Sequence, residues 1–145
     1  MTDLHTQMMA RALAEAQKGA QAGEVPVGAV LYRDDGTILA QAHNLVETQQ
    51  DATAHAELLC LQAAGTRILK NCTLTVTLEP CAMCAQAMAW AQLGALRFGA
   101  YDVKSGGVVN GARVFQHSHN KPDVYGGMQE NACAALLTQF FASKR

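Results

Sequence analysis

Several features that would define a special class of protein are missing from this sequence. It has no run of about 18 apolar residues, which a membrane-spanning helix requires. Its N-terminus, "MTDLHTQMMARALAEA", lacks the basic region, the apolar segment and the cleavage site of a signal peptide. These absences predict a cytoplasmic protein.

Charge is also scarce. Charged residues make up 16% of the chain, hydrophobic residues make up 50%, and the formal net charge is −1. This balance argues against disorder and against a strongly electrostatic mode of nucleic-acid binding. The length of 145 residues, together with this apolar content, predicts a single domain over residues 1–145.

The five cysteines are an odd number, so they cannot all pair within one chain. Without a secretion signal, free thiols or metal ligands are their expected uses. Three of them, Cys60, Cys72 and Cys133, lie among apolar residues and are predicted to be core thiols. Four histidines are predicted at the surface or in loops, and the last two are also candidates for lining a pocket: His5, His43, His117 and His119.

The hydrophobic pattern predicts alternating helices and strands. Helical spacing indicates helices over 5–22, 52–64, 81–91 and 131–145. Alternating or apolar runs indicate strands over 27–32, 38–42, 72–80 and 95–102. The stretches 45–51 and 103–128 are predicted loops, the second with at most a short helix or strand. This order favours an α/β layer sandwich around a largely central sheet.

Two compact groups of reactive residues, "TAHAE" and "PCAMC", predict a metal site. Cys81 and Cys84 begin one helix three residues apart, so both thiols point to the same side, and the helix N-terminus favours thiolates. With His55, at the start of the preceding helix, they supply three ligands for Zn²⁺ and leave the open place of a catalytic site. Glu57 could then take a proton from water and deliver it to the substrate.

Other interpretations of these groups stay open. A Cys-x-x-Cys pair occurs in redox proteins, and a histidine on an apolar helix is often only packed. A site with four protein ligands would make the chain a non-catalytic zinc module. Iron can also occupy similar sites. His-x-Glu followed by Pro-Cys-x-x-Cys is, however, the signature of the zinc-dependent base deaminases.

Segments across the whole chain resemble the bacterial tRNA-specific adenosine deaminases. They are "EVPVGAVL", "DATAHAE", "LTVTLEPCAMC", "FGAYDVKSG" and "CAALLTQFF". The resemblance implies a three-layer α/β/α sandwich with a mixed five-stranded sheet, as in cytidine deaminase, and one zinc ion in each subunit of a homodimer. It implies that zinc-activated water attacks C6 of adenosine at the wobble position of a tRNA anticodon stem-loop, giving inosine.

The resemblance also implies residue roles. His55, Cys81 and Cys84 would bind zinc, and Glu57 would shuttle protons. Asn44 matches a residue that contacts the target base, although an asparagine after a strand is also a typical turn residue. The segment at Ala54 would offer backbone groups to the base. A pocket wall is expected from Val27, Gly28 and Ala29.

The chain departs from this family pattern in three places. Ala52 replaces a proline, Asn110-Gly111 stands near a usual Gly-Ser pair, and no long basic tail follows "FFASKR". Few basic residues therefore remain to contact RNA phosphates. The candidates for RNA contact, which could equally be solvated charges and core phenylalanines, are Lys104, Arg113, Lys121, Phe140, Phe141, Lys144 and Arg145.

These departures keep a second substrate class open. A deaminase of a free base or nucleoside, such as guanine, cytosine or adenosine, would use the same metal ligands and the same Glu57.

Overall fold

The computed structural model of the protein describes residues 3–144. Five strands form one sheet in the order β2-β1-β3-β4-β5. β1 is antiparallel to both of its neighbours, whereas β3, β4 and β5 run parallel. The strands are β1 (Gly28–Arg33), β2 (Ile38–His43), β3 (Cys72–Leu78), β4 (Ala95–Ala100) and β5 (Asp123–Tyr125).

The helices cover both faces of this sheet. They are α1 (Leu4–Gln21), α2 (Val46–Gln49), α3 (Ala56–Ala63), α4 (Ala82–Trp90) and α5 (Glu130–Ser143), with a 3₁₀ turn at Val114–His117. α1 and α5 pack on one face, and α3 and α4 pack on the other. The predicted three-layer α/β/α sandwich with a mixed sheet is therefore confirmed. None of the helices within residues 3–144 is long and apolar enough to cross a membrane.

Local sequence explains where α1 begins and ends. The side chain of Asp3 accepts a hydrogen bond from the backbone N–H of Thr6 at 3.0 Å, which satisfies one of the free donors of the first turn. At the other end Gly23 has a φ of 86°, a left-handed conformation that favours glycine. The chain can therefore turn sharply from the helix towards β1.

Residues of the central strands alternate between the two buried layers. Val30 and Tyr32 point to the layer formed by α1 and α5, where they pack with Met9 of α1. Ala29 and Leu31 belong to the core beneath α3 and α4. The threonines of β3 are buried as well, because helices cover both faces. The hydroxyl of Thr75, for example, lies 2.8 Å from the Tyr32 hydroxyl, so its burial does not leave a polar group unpaired.

Two predicted loops contain short regular elements. α2 lies within 45–51, where only loop was predicted, because the buried carboxylate of Glu24 accepts hydrogen bonds from the backbone N–H groups of Glu47 and Thr48. That partner lies far back in the chain and gives no local signal. The segment 103–128 contains the 3₁₀ turn and the three-residue β5, which agrees with its prediction.

The topology places one edge of the sheet at the site. β3 and β4 both end at this edge, and the antiparallel β1 begins there. α4 also begins here, shortly after β3 ends, and α3 begins here after the segment that follows β2 and contains α2. Side chains at the ends of parallel strands and at helix N-termini therefore converge at this edge.

Candidate metal centre and active site

Three side chains form a compact donor set. The Nδ1 atom of His55 lies 3.6 Å from the Sγ atom of Cys81 and 3.6 Å from that of Cys84. All three donor atoms lie within 4.8 Å of one another, and no other such cluster of His, Cys, Asp or Glu occurs between residues 3 and 144. The structure thus brings the three predicted ligands together.

The N-terminal ends of two helices position these donors. His55 is the N-cap of α3, and Cys81 is the N-cap of α4, each with an extended backbone. Cys84 lies in the first turn of α4, three residues after Cys81, so both sulfur atoms face the same side. The backbone of Ala52 hydrogen-bonds the His55 ring. Any residue at position 52 offers such a backbone group, so the replacement of the family's proline leaves this contact in place.

The donor set fits Zn²⁺. Zinc binds thiolate sulfur at about 2.3 Å and imidazole nitrogen at about 2.0–2.1 Å, so a tetrahedral angle puts the two donors about 3.6 Å apart. Both nitrogen–sulfur distances match this value. Three protein ligands, with no fourth in the cluster between Asp3 and Lys144, are typical of catalytic zinc rather than of structural zinc.

The protonation of the thiols reflects their mutual hydrogen bonds. Hydrogen bonding from Cys84, followed by that from His55, lowers the pKa of Cys81 to about 4. The same pairing and burial raise the pKa of Cys84, and the hydrogen bond with Cys81 raises the pKa of His55. Because zinc binds thiolates, metal binding at this site must release the protons that remain on the two thiols.

Glu57 lies beside this donor set, not in it. Its side chain is only 4% exposed, and burial raises the pKa of its carboxyl to about 7. Hydrogen bonding to its own backbone, the charge of His55 and hydrogen bonding by Cys84 act against this rise of the pKa. A carboxyl group that is buried next to a metal site and not needed as a ligand is suited to proton transfer.

An open cavity of about 770 Å³ gives access to these groups. His55, Glu57 and Cys81 line it, whereas Cys84 is fully buried. The remaining walls come from the turn before β1, the segment after β2, the end of β3, the loop after β4 and the end of α5. Among the residues predicted for substrate or RNA contact, the lining includes Val27, Asn44, Phe140, Phe141 and Lys144.

Asn44 is held by the helix that carries His55. Its Oδ1 accepts a hydrogen bond from the backbone N–H of Ala56 at 2.9 Å, and its own N–H donates to Val27. The side-chain amide nitrogen of Asn44 is the group that remains to contact a ligand in the cavity. The structure therefore gives Asn44 a place at the cavity together with a structural role.

Three other predicted substrate contacts lie elsewhere. Gly28 and Ala29 do not line the cavity: a Cβ at Gly28 would collide with the Ala12 carbonyl of α1, and Ala29 is buried in the core. Ala54 uses its N–H to donate to Asp51 and its carbonyl to accept from Leu45. Dense packing, which the sequence does not reveal, occupies these residues.

The predicted RNA contacts divide in a similar way. Lys144 lines the cavity, and its ammonium group lies over the ring of Phe140. Phe140 and Phe141 both line the cavity, and Phe141 is half exposed. The two phenylalanines therefore belong to the cavity wall and not to the core. Lys121 lies with His119 in a separate shallow pocket, away from the cavity that Lys144 lines. Lys104 and Arg113 are exposed, His117 is exposed away from the cavity lining, and Arg145 lies outside the described residues.

Sequence reasoning missed two buried carboxylates in the cavity wall, Glu24 and Glu79. For both, burial alone would raise the pKa, but hydrogen bonds outweigh it and lower the pKa: those from Thr48 and Glu47 for Glu24, and those led by Asn110 for Glu79. The available signal was an acidic residue inside each of the apolar segments "EVPVG" and "TLEPC". An acid that is predicted to be buried needs several donors.

Comparison with known proteins agrees with this site. Residues 2–100 match the zinc-binding region of the cytidine and deoxycytidylate deaminase family. The chain is 42% identical to a tRNA-specific adenosine deaminase from Agrobacterium fabrum, over 97% of this chain and 95% of that relative.

Solved structures agree as well. One, from a study of A-to-I editing by tRNA:A34 deaminases at the wobble position of transfer RNA, has a TM-score of 0.87 and 41% identity, and covers 91% of this chain and 99% of that chain. A guanine deaminase from Nitrosomonas europaea has a TM-score of 0.81 over 94% of this chain and 84% of that chain, but at 23% identity it shows the fold alone. The chain belongs to the tRNA-specific adenosine deaminase family of zinc-dependent deaminases.

Proposed function

We propose that this protein converts adenosine to inosine at the wobble position of a tRNA anticodon by hydrolysis. The observation that carries the chemistry is a three-ligand donor set with a buried, non-ligating Glu57 beside it, at the wall of an open cavity. The substrate follows from the relatives, whose names specify tRNA and adenosine. Water replaces the amino group at C6, so each turnover consumes one water and releases one ammonia.

The residues have separate tasks in this reaction. His55, Cys81 and Cys84 would hold one Zn²⁺ per chain, which when bound lowers the pKa of a coordinated water to about 7. Glu57 takes one proton from the attacking water and delivers it to the ring nitrogen, and it then takes the second proton, from the hydroxyl added at C6, and delivers it to the departing amine. Its burial serves this task, because a carboxyl with a raised pKa can both accept and donate a proton near neutral pH.

The cavity favours a base that is part of a strand over a free base. Ligand sites of about 300–1,000 Å³ hold whole drug-sized molecules, so about 770 Å³ leaves room beside a single base. Phe140 and Phe141 stand at the wall, where flanking bases of a flipped-out nucleotide could stack on them. Among the described residues that line the cavity, Lys144 is the only lysine or arginine. We therefore expect base stacking to contribute more to binding here than phosphate contacts do.

Substrate choice is tested by comparing four substrates with the zinc-loaded protein. We expect ammonia release from an anticodon stem-loop with adenosine at the wobble position, and at least about 100-fold lower kcat/KM on free adenosine, guanine or cytosine, because binding energy from flanking nucleotides is lost. The matched control is the same stem-loop with guanosine at the wobble position. Turnover on a free base with none on the stem-loop would establish the alternative function.

We also propose that the protein acts as a homodimer of single-domain chains in the cytoplasm. The exposed side of α4 supports the dimer: Met83 and Trp90 lie seven residues apart on one side of the helix, and Trp90 is 78% exposed. α4 also carries two of the zinc ligands, so a second copy on this face would lie close to the site.

The single sheet, covered by helices on both faces, supports one domain per chain. The five free cysteines support a reducing compartment such as the cytoplasm.

A charged residue at position 90 tests the dimer. We expect Trp90→Glu to convert a dimer to a monomer at micromolar concentration, because it would bury an unpaired charge in the apolar interface. Light scattering after size-exclusion chromatography measures the mass. The control is Ala135→Glu, a similar change at an exposed residue of α5 on the opposite layer. A wild-type monomer, or a variant that remains dimeric, would contradict the proposal.

A further inference from the structure

The carboxylate of Glu79 is surrounded by donors from a single loop, residues 102–110. One oxygen accepts from three consecutive backbone N–H groups, those of Val108, Val109 and Asn110, at 3.0–3.2 Å. The other oxygen accepts from the N–H of Asp102 at 3.0 Å and from the side-chain amide of Asn110 at 2.7 Å. Both ends of the loop are therefore attached to one side chain, which is only 2% exposed.

Backbone packing attaches the same loop to the metal-binding helix. The N–H of Gly107 donates to the carbonyl of Pro80 at 2.8 Å, and a Cβ at Gly107 would collide with the backbone of Ala82. A Cβ at Gly106 would collide with the Glu79 carboxylate itself. Only glycine at these two positions allows the loop to approach so closely. Glu79 is two residues before the ligand Cys81, so this loop is attached directly to the segment that carries the metal site.

Apart from the bonds to Glu79, the first half of the loop is held by hydrogen bonds within itself: the N–H groups of Ser105 and Gly106 donate to the side chain and the carbonyl of Asp102, each at 2.9 Å. Val103 and Lys104 are exposed, and Ser105 is exposed while also lining the cavity together with Asp102. A segment with few buried apolar contacts would move unless polar groups hold it. Five hydrogen bonds to one buried charge provide that hold, because hydrogen bonds to ionised groups are stronger than neutral ones.

From this geometry we propose that Glu79 is a positioning residue: with Asn110 it holds the loop 102–110 so that Asp102 and Ser105 form the wall which receives the nucleotides next to the target base. The part of this proposal that concerns substrate rests on the proposed function. Asn110, a departure from the usual family residue, is here a partner of Glu79 and not a free contact for RNA.

Two single variants and their combination test the pair. Glu79→Gln turns an acceptor into a donor that faces the Asp102 N–H and the Asn110 amide, and Asn110→Asp places a second carboxylate against Glu79. In the double variant the oxygen of the introduced glutamine can accept from the 108–110 amides, while its NH₂ group donates to the introduced aspartate. We expect each single variant to raise KM for the stem-loop about tenfold with kcat within about twofold, and the double variant to recover part of that loss, because the Asp102 N–H still lacks an acceptor.

Amide hydrogen exchange provides a readout that needs no substrate. In Glu79→Gln the amides of 102 and 108–110 are expected to exchange at least about tenfold faster, while β3 and the zinc content stay unchanged. If the wild-type protein does not deaminate the stem-loop, the proposed function fails, and this exchange result still decides whether Glu79 holds the loop.

Thr75→Val is the matched control, because it removes a buried hydrogen bond, to Tyr32, away from the cavity. It should lower thermal stability and leave both KM and loop exchange unchanged. The proposal is overturned if loop exchange in Glu79→Gln matches the wild type, if the loss falls on kcat with KM constant, or if the double variant is as impaired as Asn110→Asp.

Discussion

Replacing Glu57 by glutamine is expected to abolish deamination while the protein still binds one zinc ion per chain. Glutamine has nearly the same shape but cannot accept a proton from water or return it to the substrate. General acid–base catalysis contributes about 10²–10⁴-fold, and Glu57 serves both proton transfers, so we expect kcat to fall at least about 10³-fold. Ammonia release from the stem-loop measures the rate, and elemental analysis measures the zinc.

The fold should tolerate this change. Glu57 is buried, and a buried amide costs less free energy than a buried carboxylate, so the melting temperature should not fall. Glu15→Gln is the matched control: Glu15 is also buried but bonds Lys18 on α1, away from the metal site. A Glu57→Gln protein that keeps more than about one tenth of the wild-type rate would refute the assignment, since proton transfer contributes far more than this.

Removal of one metal ligand is expected to have the second large effect. Cys84→Ala leaves two protein donors, so the purified protein should contain no stoichiometric zinc and show no turnover. It should also unfold at lower temperature, because the bound ion stabilises the folded state by about 4 kcal/mol when free zinc is about 1,000 times its Kd. Zinc content, rate and thermal unfolding are measured on the same preparation.

A second thiol and a chelator separate metal loss from simple loss of packing. Cys133→Ala removes a buried thiol of α5 that contacts Met9 of α1, so the variant should lose some stability but keep zinc and activity. Wild-type protein that has been stripped by a chelator should melt close to zinc-free Cys84→Ala, and only the wild type should recover activity when zinc is returned. Stoichiometric zinc in Cys84→Ala would contradict the ligand set.

Prediction from sequence succeeded where the relevant contacts are local. The first turn of a helix places residues three apart on one side, so the spacing of Cys81 and Cys84 already implied that both bind the same metal ion. The order of helices and strands likewise predicted the layers, because apolar periodicity distinguishes a helix from a strand over short segments. The short α2 was missed because its stabilising partner, Glu24, lies far back in the chain, at a separation of 23 from Glu47.

The resemblance also predicted substrate contacts at residues that do not line the cavity, and these contacts stay predictions. Gly28 and Ala54 are matched by motif, but the backbone of α1 closes over Gly28, and the backbone groups of Ala54 are used within its own turn. Phe140 and Phe141, which apolar character alone would place in the core, line the cavity because α5 ends beside it. These outcomes depend on how elements from distant parts of the chain come together.

The sequence by itself therefore determined the donor atoms, the nearby carboxyl group and the layered fold, since each depends on spacing along one or two elements. Only the tertiary structure decided which residues surround the substrate and what holds them there. Glu79 and Asn110 are 31 residues apart, and their pairing exists because β3 and the loop after β4 meet at one edge of the sheet. Spacing along the chain carries no information about such a contact, which arises from the packing of the complete fold.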